Sequence, residues 1–359
     1  MRKTWIAMVL CCIILLSGCA NIYDNSYSAV RPHVKSSTTV GTQSLSASTR
    51  QELLTGIQKL IGSAKEEGVI YVDNYDQQQV QSDMQQLCAT VKETYCVAAY
   101  ALESISFELG KSDGRPALSL AIRYVRSRAD ILGIQAAADM SQAANQICRA
   151  MDRCDVSLVL KVNAYQEQDL LQVVENYAME NPHLVMEIPQ VSWEVYPKEG
   201  TERVLELFFT YQTGRDALKS MQEKVNPVFA SAVLYVSGDA GEHEKFSQLY
   251  SFLMERYDYK FDTSITPTYS LLRHGVGDSR AFAVVYAAMC RQAGLECIVV
   301  SGTKYGESHY WNIIHRDEKY FHVDLLAGSY REYKDEQMAG YVWDYSAYPA
   351  CNGRTVPHE

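Results

Sequence analysis

The chain has 359 residues, of which 47% are hydrophobic and 21% charged. These values are ordinary for globular protein, and the length allows two or three domains. The formal net charge is -10, and basic residues such as Arg123, Arg126 and Arg128 are scattered among acidic ones. Because binding to a polyanion needs clustered cations, we expect no nucleic-acid partner.

The first residues have the order of a secretory signal. Arg2 and Lys3 precede an apolar run from Trp5 to Leu16, which ends in the sequence Leu-Ser-Gly-Cys. A basic flank, a short apolar core and small residues at the boundary are typical of such signals. A membrane-spanning helix would need roughly 20 apolar residues, so the pattern predicts a signal peptide over residues 1–18.

The Leu-Ser-Gly-Cys sequence at 16–19 resembles the bacterial lipobox. This resemblance implies cleavage before Cys19 and diacylation of its thiol; the alternative is an ordinary signal that happens to end in cysteine. Two acyl chains anchor a protein stably, so we expect an extracytoplasmic protein held through Cys19 to the outer face of the cell membrane. Residues 19–50 are rich in Ser, Thr and Asn without apolar periodicity, which predicts a flexible tether.

Ten cysteines are present, and three of them lie in the signal or at the lipidation site. Outside the cytoplasm the remaining cysteines can form disulfides, although the sequence does not give the connectivity. The alternative is that they are small buried side chains. Since Cys-x-x-Cys spacing is lacking, we expect no metal site and no cofactor. The remaining cysteines are Cys88, Cys96, Cys148, Cys154, Cys290, Cys297 and Cys351.

The middle of the chain predicts two copies of one α/β module, at 51–150 and 151–240. Each copy reads as strand, helix, strand, strand, helix, and Tyr75 and Tyr165 stand at corresponding positions. We find no phosphate loop, paired-histidine motif or nucleophile elbow there, so the modules are expected to serve as a spacer or binding surface. The predicted elements are helices 51–65, 129–150, 167–179 and 215–225 and strands 69–72, 96–109, 117–125, 156–162, 184–196 and 203–211.

The segment from about 245 to 325 carries three landmarks. A small-residue loop enters a helix at Ser279, a histidine precedes a Trp-Asn strand, and Asp324 ends the following strand. In order and spacing this segment resembles the transglutaminase-like superfamily, which shares the papain-like cysteine-histidine-aspartate arrangement. The resemblance implies a transglutaminase-like α+β domain at 241–359. With the duplicated modules before it, the whole chain is expected to have an α+β fold.

The family triad falls on Ser279, His309 and Asp324. A nucleophile at a helix N-terminus lies in the positive end of the helix dipole, histidine accepts its proton, and aspartate orients the histidine. Here serine stands three residues before the Phe282-Ala283 pair, where the family has cysteine. Cys290 lies too far along the same helix to replace it.

A serine hydroxyl is much harder to ionise than a thiol, whose pKa is about 8.5. We therefore expect a degenerate site in which Ser279 caps the helix, a role that Asp278 could share. The alternative is an envelope peptidase or acyl transferase that uses the three residues as a serine triad.

A degenerate site would still provide a groove for peptide or glycan of the cell envelope, including peptidoglycan. Aromatic walls for that groove are expected from Tyr269, Tyr310 and Trp311, next to Asp278. The tyrosine-rich tail around 341–351 is expected to pack over the domain edge or the groove mouth. Because no Asp-rich loop of suitable spacing appears, calcium is not expected.

Overall fold

The computed structural model describes residues 44–262 and 264–352. The chain from Leu45 onward forms a compact unit, and its described residues contain four hydrophobic cores. The predicted signal peptide, Cys19 and most of the predicted tether lie outside the described residues. Within the described ranges, no helix has both the length and the apolar character that crossing a bilayer requires.

The first sheet has four strands in the order β1-β2-β4-β3. Strands β1 and β2 are parallel and the other neighbours are antiparallel. Leu53 and Ile57 on the first helix are completely buried in the same core as Ile70 on β2, because their helical spacing places them on one face. The elements are β1 Leu45–Ser46, α1 Arg50–Gly62, β2 Glu67–Tyr71, α2 Gln77–Thr94, α3 Cys96–Ala101, β3 Leu102–Ser112 and β4 Arg115–Tyr124.

The second sheet repeats this arrangement, in the order β5-β6-β8-β7. Its first two strands are again parallel and its other neighbours antiparallel. The two sheets thus share one topology; that they arose by duplication stays a prediction. The elements are α4 Arg128–Leu132, β5 Gln135–Asp139, α5 Met140–Asp152, β6 Ser157–Ala164, α6 Leu170–Glu180, β7 Gln190–Tyr196 and β8 Arg203–Thr210.

Three elements differ from the sequence expectation. The apolar run that begins at Cys96 forms α3, not a strand, since a short apolar run is ambiguous between the two structures. Strand β5 interrupts the helix expected at 129–150, and it pairs with β6. The second sheet therefore begins ahead of the boundary expected between residues 150 and 151. Residues 45–50, expected in the tether, contribute β1 and the first residue of α1.

The two sheets contact each other through α3, which packs on β7 and β8. Arg126 follows β4 and donates a hydrogen bond to Glu206 on β8 at 2.6 Å. Its guanidinium also lies 4.6 Å from the ring centre of Tyr100, which packs edge-on against Tyr196. An ion pair with a buried carboxylate, flanked by aromatic rings, therefore joins the two sheets.

The C-terminal domain consists of helices packed on a third four-stranded sheet, ordered β13-β12-β11-β14. All its strand pairs are antiparallel, and the long apolar helix α9 packs against β11 and β12. The elements are α7 Arg215–Tyr235, α8 Glu242–Met254, β9 Asp258–Tyr259, short helical turns at Pro267–Tyr269 and Ser270–His274, β10 Val276–Gly277, α9 Ser279–Gln292, β11 Glu296–Lys304, β12 Glu307–Arg316, β13 Lys319–Val323 and β14 Tyr341–Trp343.

Asn312 fixes the position of α9 on the sheet. Its side chain is completely buried, and its Nδ2 donates to the carbonyl oxygen of Ala283 on α9 at 2.9 Å. Because the buried Nδ2 needs an acceptor, this contact sets how far the helix lies along β12. The N-terminus of α9 is thereby held beside the start of that strand.

Candidate active site

The loop before α9 is held by a short parallel pairing between β9 and β10. Gly277 ends β10, and a Cβ there would lie 2.9 Å from the Cβ of Ala281. Only glycine fits this approach without a shift of its neighbours. Asp278 then caps the helix, since its Oδ1 accepts the N–H of Ala281 at 2.8 Å. This sequence of contacts places Ser279 at the first position of α9.

Ser279 is 8% exposed. Its Oγ accepts a hydrogen bond from the backbone N–H of Tyr310 at 3.3 Å. In the described part of the chain no hydrogen bond joins this hydroxyl to His309, the residue before Tyr310. The helix N-terminus supplies unpaired N–H groups and a positive potential at the serine, as an oxyanion site would require.

His309 and Asp324 form the second half of the triad. The Nε2 of His309 lies 3.1 Å from Oδ2 of Asp324, and the aspartate is 2% exposed. Its other oxygen, Oδ1, accepts the N–H of Leu326 at 2.9 Å. The carboxylate therefore fixes the imidazole through Nε2 and leaves Nδ1 for another partner.

Two further donors share the same oxygen of Asp324. Lys304 at the end of β11 donates its Nζ at 2.8 Å, and Tyr341 on β14 donates its hydroxyl at 2.6 Å. Burial acts to raise the pKa of Asp324, but the hydrogen bonds from His309, Lys304 and Tyr341 outweigh it and hold the pKa well below its usual range. The carboxylate thus stays ionised, and its charge is shared among three donors.

The sequence reasoning did not identify Lys304 or Tyr341 as site residues. Tyr341 belongs to the tail that was expected to pack over the domain edge, and β14 does pair with β11 at that edge. Only this pairing brings the tyrosine to Asp324, so the local sequence carries no signal for the contact.

A cavity of about 540 Å³ opens beside His309. Lys304 and His309 are among its polar lining residues, and two of its aromatic side chains are exposed: Tyr305 is 78% exposed and Phe261 is 70% exposed. Exposed aromatic rings offer flat apolar surface to a ligand. We call this space the histidine cavity; its lining residues are Met254, Tyr259, Phe261, Lys304, Tyr305, Glu307, Ser308, His309, Leu325, Leu326 and Gly328.

A second cleft, of about 960 Å³, lies between α6 and the C-terminal sheet. Tyr310 and Arg280 line it on the side of the candidate site, with the Arg280 guanidinium 5.5 Å from the centre of the tyrosine ring. Glu175 and Asn176 on α6 line the opposite side. Tyr310, expected as a groove wall, therefore does line a cleft.

The expectation for Trp311 is wrong, because its side chain is completely buried and offers no surface to a ligand. Its indole Nε1 donates to Nδ1 of His322 at 3.0 Å, and its ring stacks against His309. Tyr269 packs against the domain core and edge-on against His274, and it is not among the residues that line the histidine cavity or the cleft.

His322, Asp335 and Cys351 bring three potential metal-ligand atoms within 4.8 Å of one another. However, Nδ1 of His322 accepts the indole N–H of Trp311, so Nε2 carries the proton that bonds Oδ1 of Asp335 at 2.9 Å. Burial lowers the pKa of His322, which keeps the ring neutral. Since both ring nitrogens are engaged, the cluster does not fit a metal ion; it clamps the C-terminal tail instead.

The cysteines do not restore a thiol nucleophile. Cys290 is completely buried, and burial raises the pKa of its thiol well above the ordinary value. The seven cysteines of the described residues are free thiols.

Residues 231–325 match the family model described as the transglutaminase-like superfamily. This match confirms the resemblance, and the C-terminal part of the chain carries a transglutaminase-like domain. The match begins within α7, earlier than the segment expected from the sequence. A search of curated proteins finds no match.

Three solved structures are similar to this chain at low identity. A TGase crystal structure shares 10% identity over 61% of this chain and 63% of its own, with a TM-score of 0.28. A candidate cysteine protease from Cytophaga hutchinsonii shares 11% identity over 40% of this chain and 65% of its own, with a TM-score of 0.25. A candidate protease from Parabacteroides distasonis shares 11% identity over 61% of this chain and 35% of its own, with a TM-score of 0.24. The matched part thus spans less than two thirds of each of these chains.

Proposed function

We propose that this protein is a lipid-anchored, extracytoplasmic binding module in which a transglutaminase-like domain holds cell-envelope peptide or glycan without turnover. The observation that carries the proposal is the state of the triad. The Ser279 hydroxyl is bonded to a backbone N–H and not to His309, and the oxygen of Asp324 that orients His309 is shared with Lys304 and Tyr341.

Turnover is not expected because, among the described residues, no hydrogen bond connects the Ser279 hydroxyl to His309, which would have to accept its proton. In a family enzyme the histidine and a thiol exchange a proton before attack, and the aspartate stabilises the imidazolium. The Nζ of Lys304 lies 2.8 Å from Oδ2 of Asp324 and compensates much of its negative charge. The carboxylate therefore stabilises an imidazolium less than it would without the lysine. A serine, which is much harder to ionise than cysteine, depends on that stabilisation more strongly.

The lining of the histidine cavity is consistent with a peptide or glycan ligand. It combines an apolar floor of leucines with exposed aromatic rings and a few polar groups, which is the usual composition of a small-ligand or peptide-segment site. Tyr305 and Phe261 can stack on sugar or peptide faces, while Lys304 and Glu307 bind polar groups of the same segment.

A second candidate function is acyl transfer by a serine triad, favoured by the direct hydrogen bond between His309 and Asp324. Ser279 Oγ would add to an amide carbonyl while His309 takes its proton. His309 would then return this proton to the leaving amine, giving an acyl-serine that water or a second amine resolves.

The test uses the full lipid-anchored chain in detergent, with solubilised peptidoglycan fragments as the probe. Binding is followed by calorimetry and turnover by mass spectrometry, for wild type, Ser279→Ala and Ser279→Cys. We expect binding without turnover, unchanged in the alanine variant. Turnover by wild type that disappears in Ser279→Ala would establish the serine enzyme instead.

Two aromatic variants locate the binding site. Removing an exposed ring of the histidine cavity, in Tyr305→Ala or Phe261→Ala, should weaken binding about tenfold, since a stacking ring in a contact centre contributes more than about 1 kcal/mol. Tyr345→Ala is the matched control, because this tyrosine is 65% exposed and does not line the cavity. Equal affinity in all three variants would place the ligand elsewhere.

A further inference from the structure

A groove of about 750 Å³ lies between α7, the end of α8 and the turn Ser270–His274. Its walls are apolar side chains and three cations, and no acidic residue lines it. This is unusual in a chain whose formal net charge is -10. We call it the basic groove; its lining residues are Lys224, Pro227, Val228, Ser231, Leu234, Tyr235, Phe252, Arg256, Tyr257 and Arg273.

The apolar part of the basic groove points outward. Leu234, in the last turn of α7, is 86% exposed, the largest value among the exposed large hydrophobic residues of the described chain. Tyr235 beside it is 41% exposed. A protruding leucine next to a tyrosine is a pair that enters the headgroup region of a bilayer, with the phenol hydroxyl left in water.

Three cations line the same groove as Leu234 and Tyr235. Arg256 stacks on the rings of Phe252 and Tyr235, with its guanidinium carbon 4.3 Å and 5.1 Å from the ring centres. Its only acidic contact among the described residues is Glu255 at 3.8 Å. Lys224 and Arg273 have no ion-pair partner in the described ranges, so their charges are available to an external anion.

We infer that the basic groove is a membrane-contact surface that binds anionic lipid headgroups and inserts Leu234 into the interface. Each cation near an anionic bilayer contributes about 1 kcal/mol, or roughly a fivefold gain in partitioning. For a protein anchored as proposed above, the contact would give a fixed orientation at the membrane surface. It does not depend on the ligand or chemistry of the Ser279 site.

The test uses residues 45–359, which contain all four described cores and omit Cys19, so that no acyl chain contributes. Co-sedimentation is measured with vesicles of phosphatidylcholine alone and with vesicles containing phosphatidylglycerol. We expect binding to the anionic vesicles only, with a decrease as salt rises. Equal binding to both kinds of vesicle, or to neither, would overturn the inference.

The variants Leu234→Asp and Arg273→Glu should each weaken binding to anionic vesicles about tenfold. Leu132→Asp is the matched control, since Leu132 is 53% exposed and lies on α4, outside the groove; it should bind as wild type does. Unfolding curves check that all variants fold. Unchanged vesicle binding in Leu234→Asp would overturn the inference, and so would a wild-type dimer, seen by light scattering, that this substitution dissociates.

Discussion

Asp324 accepts hydrogen bonds from His309, Lys304, Tyr341 and the backbone of Leu326. Burial alone would favour its protonated form, but these donors hold its pKa well below the usual range. A carboxyl group with a depressed folded-state pKa stabilises the protein at pH values above its unfolded pKa of about 3.9. That contribution is lost as the pH falls below this value toward the folded pKa.

Tyr341→Phe removes one donor and leaves the ring in place. We expect the free energy of unfolding at pH 7 to fall by about 1–3 kcal/mol, because a buried charged acceptor loses a partner. The loss of a donor also raises the folded-state pKa of Asp324. The penalty should therefore shrink once the pH falls below the variant's folded-state pKa, where its carboxyl takes up a proton while that of wild type stays ionised. Urea unfolding between pH 2 and pH 7 measures both effects.

Tyr345→Phe serves as the control for this measurement, because the ring of Tyr345 is largely exposed and contacts Trp343. It should change stability by less than about 0.5 kcal/mol at every pH. A Tyr341→Phe loss at pH 7 no larger than that of Tyr345→Phe would show that its hydroxyl does not stabilise the Asp324 charge.

At the scale of the element, the N-terminal turn of α9 is set by Asp278. Its cap on the N–H of Ala281 orders the turn that carries Ser279. We expect Asp278→Ala to lower the free energy of unfolding by about 0.5–2 kcal/mol and to weaken binding of peptidoglycan fragments. Asp278→Asn keeps a capping oxygen and should retain most of the stability and most of the affinity for peptidoglycan fragments. Stability and affinity are measured side by side.

The cap of α6 provides the comparison. Asp169 accepts the N–H groups of Leu171 and Gln172, each at 3.1 Å, so Asp169→Ala should cost a similar free energy of unfolding. Ligand affinity should not change, since no residue of α6 lines the histidine cavity. An Asp278→Ala variant that loses stability but binds normally would show that the turn needs no cap to form the site.

The sequence predicted the elements with strong local signals. Strands β12 and β13 lie where the His-Tyr-Trp-Asn run and the run ending at Asp324 placed them, because apolar runs and family landmarks coincide there. Strand β5 was missed, since its sequence Gln-Ala-Ala-Ala-Asp has helix-forming composition and only pairing with β6 makes it a strand. Local propensity gives way to tertiary pairing at such positions.

The same division applies to the site. Ser279, His309 and Asp324 were predicted by their order along the chain, and the structure places the last two within hydrogen-bonding distance. Lys304 and Phe261 were missed because they reach the site only through folding of distant segments. Trp311 was misassigned, since a tryptophan beside a site histidine can face either the ligand or the core, and sequence does not distinguish these.

At the scale of the whole molecule, the two N-terminal sheets are joined by an ion pair in which the carboxylate is buried and the guanidinium is partly exposed. Glu206 is 4% exposed, and its carboxylate pairs with Arg126. The cost of burying such a pair is offset only while both partners are present. The pair therefore couples the two sheets, which have separate hydrophobic cores.

Arg126→Met leaves Glu206 buried without its cation, so we expect the free energy of unfolding to fall by about 3–5 kcal/mol. Adding Glu206→Leu should recover part of this loss, and the double-mutant cycle should give a coupling energy of at least about 1 kcal/mol. Arg115→Met is the control, because its pair with Asp73 is exposed and lies within the first sheet; it should cost less than about 1 kcal/mol. Urea unfolding at pH 7 measures all four variants. Equal losses in Arg126→Met and Arg115→Met, with additive effects in the cycle, would mean that apolar packing of α3 alone joins the sheets.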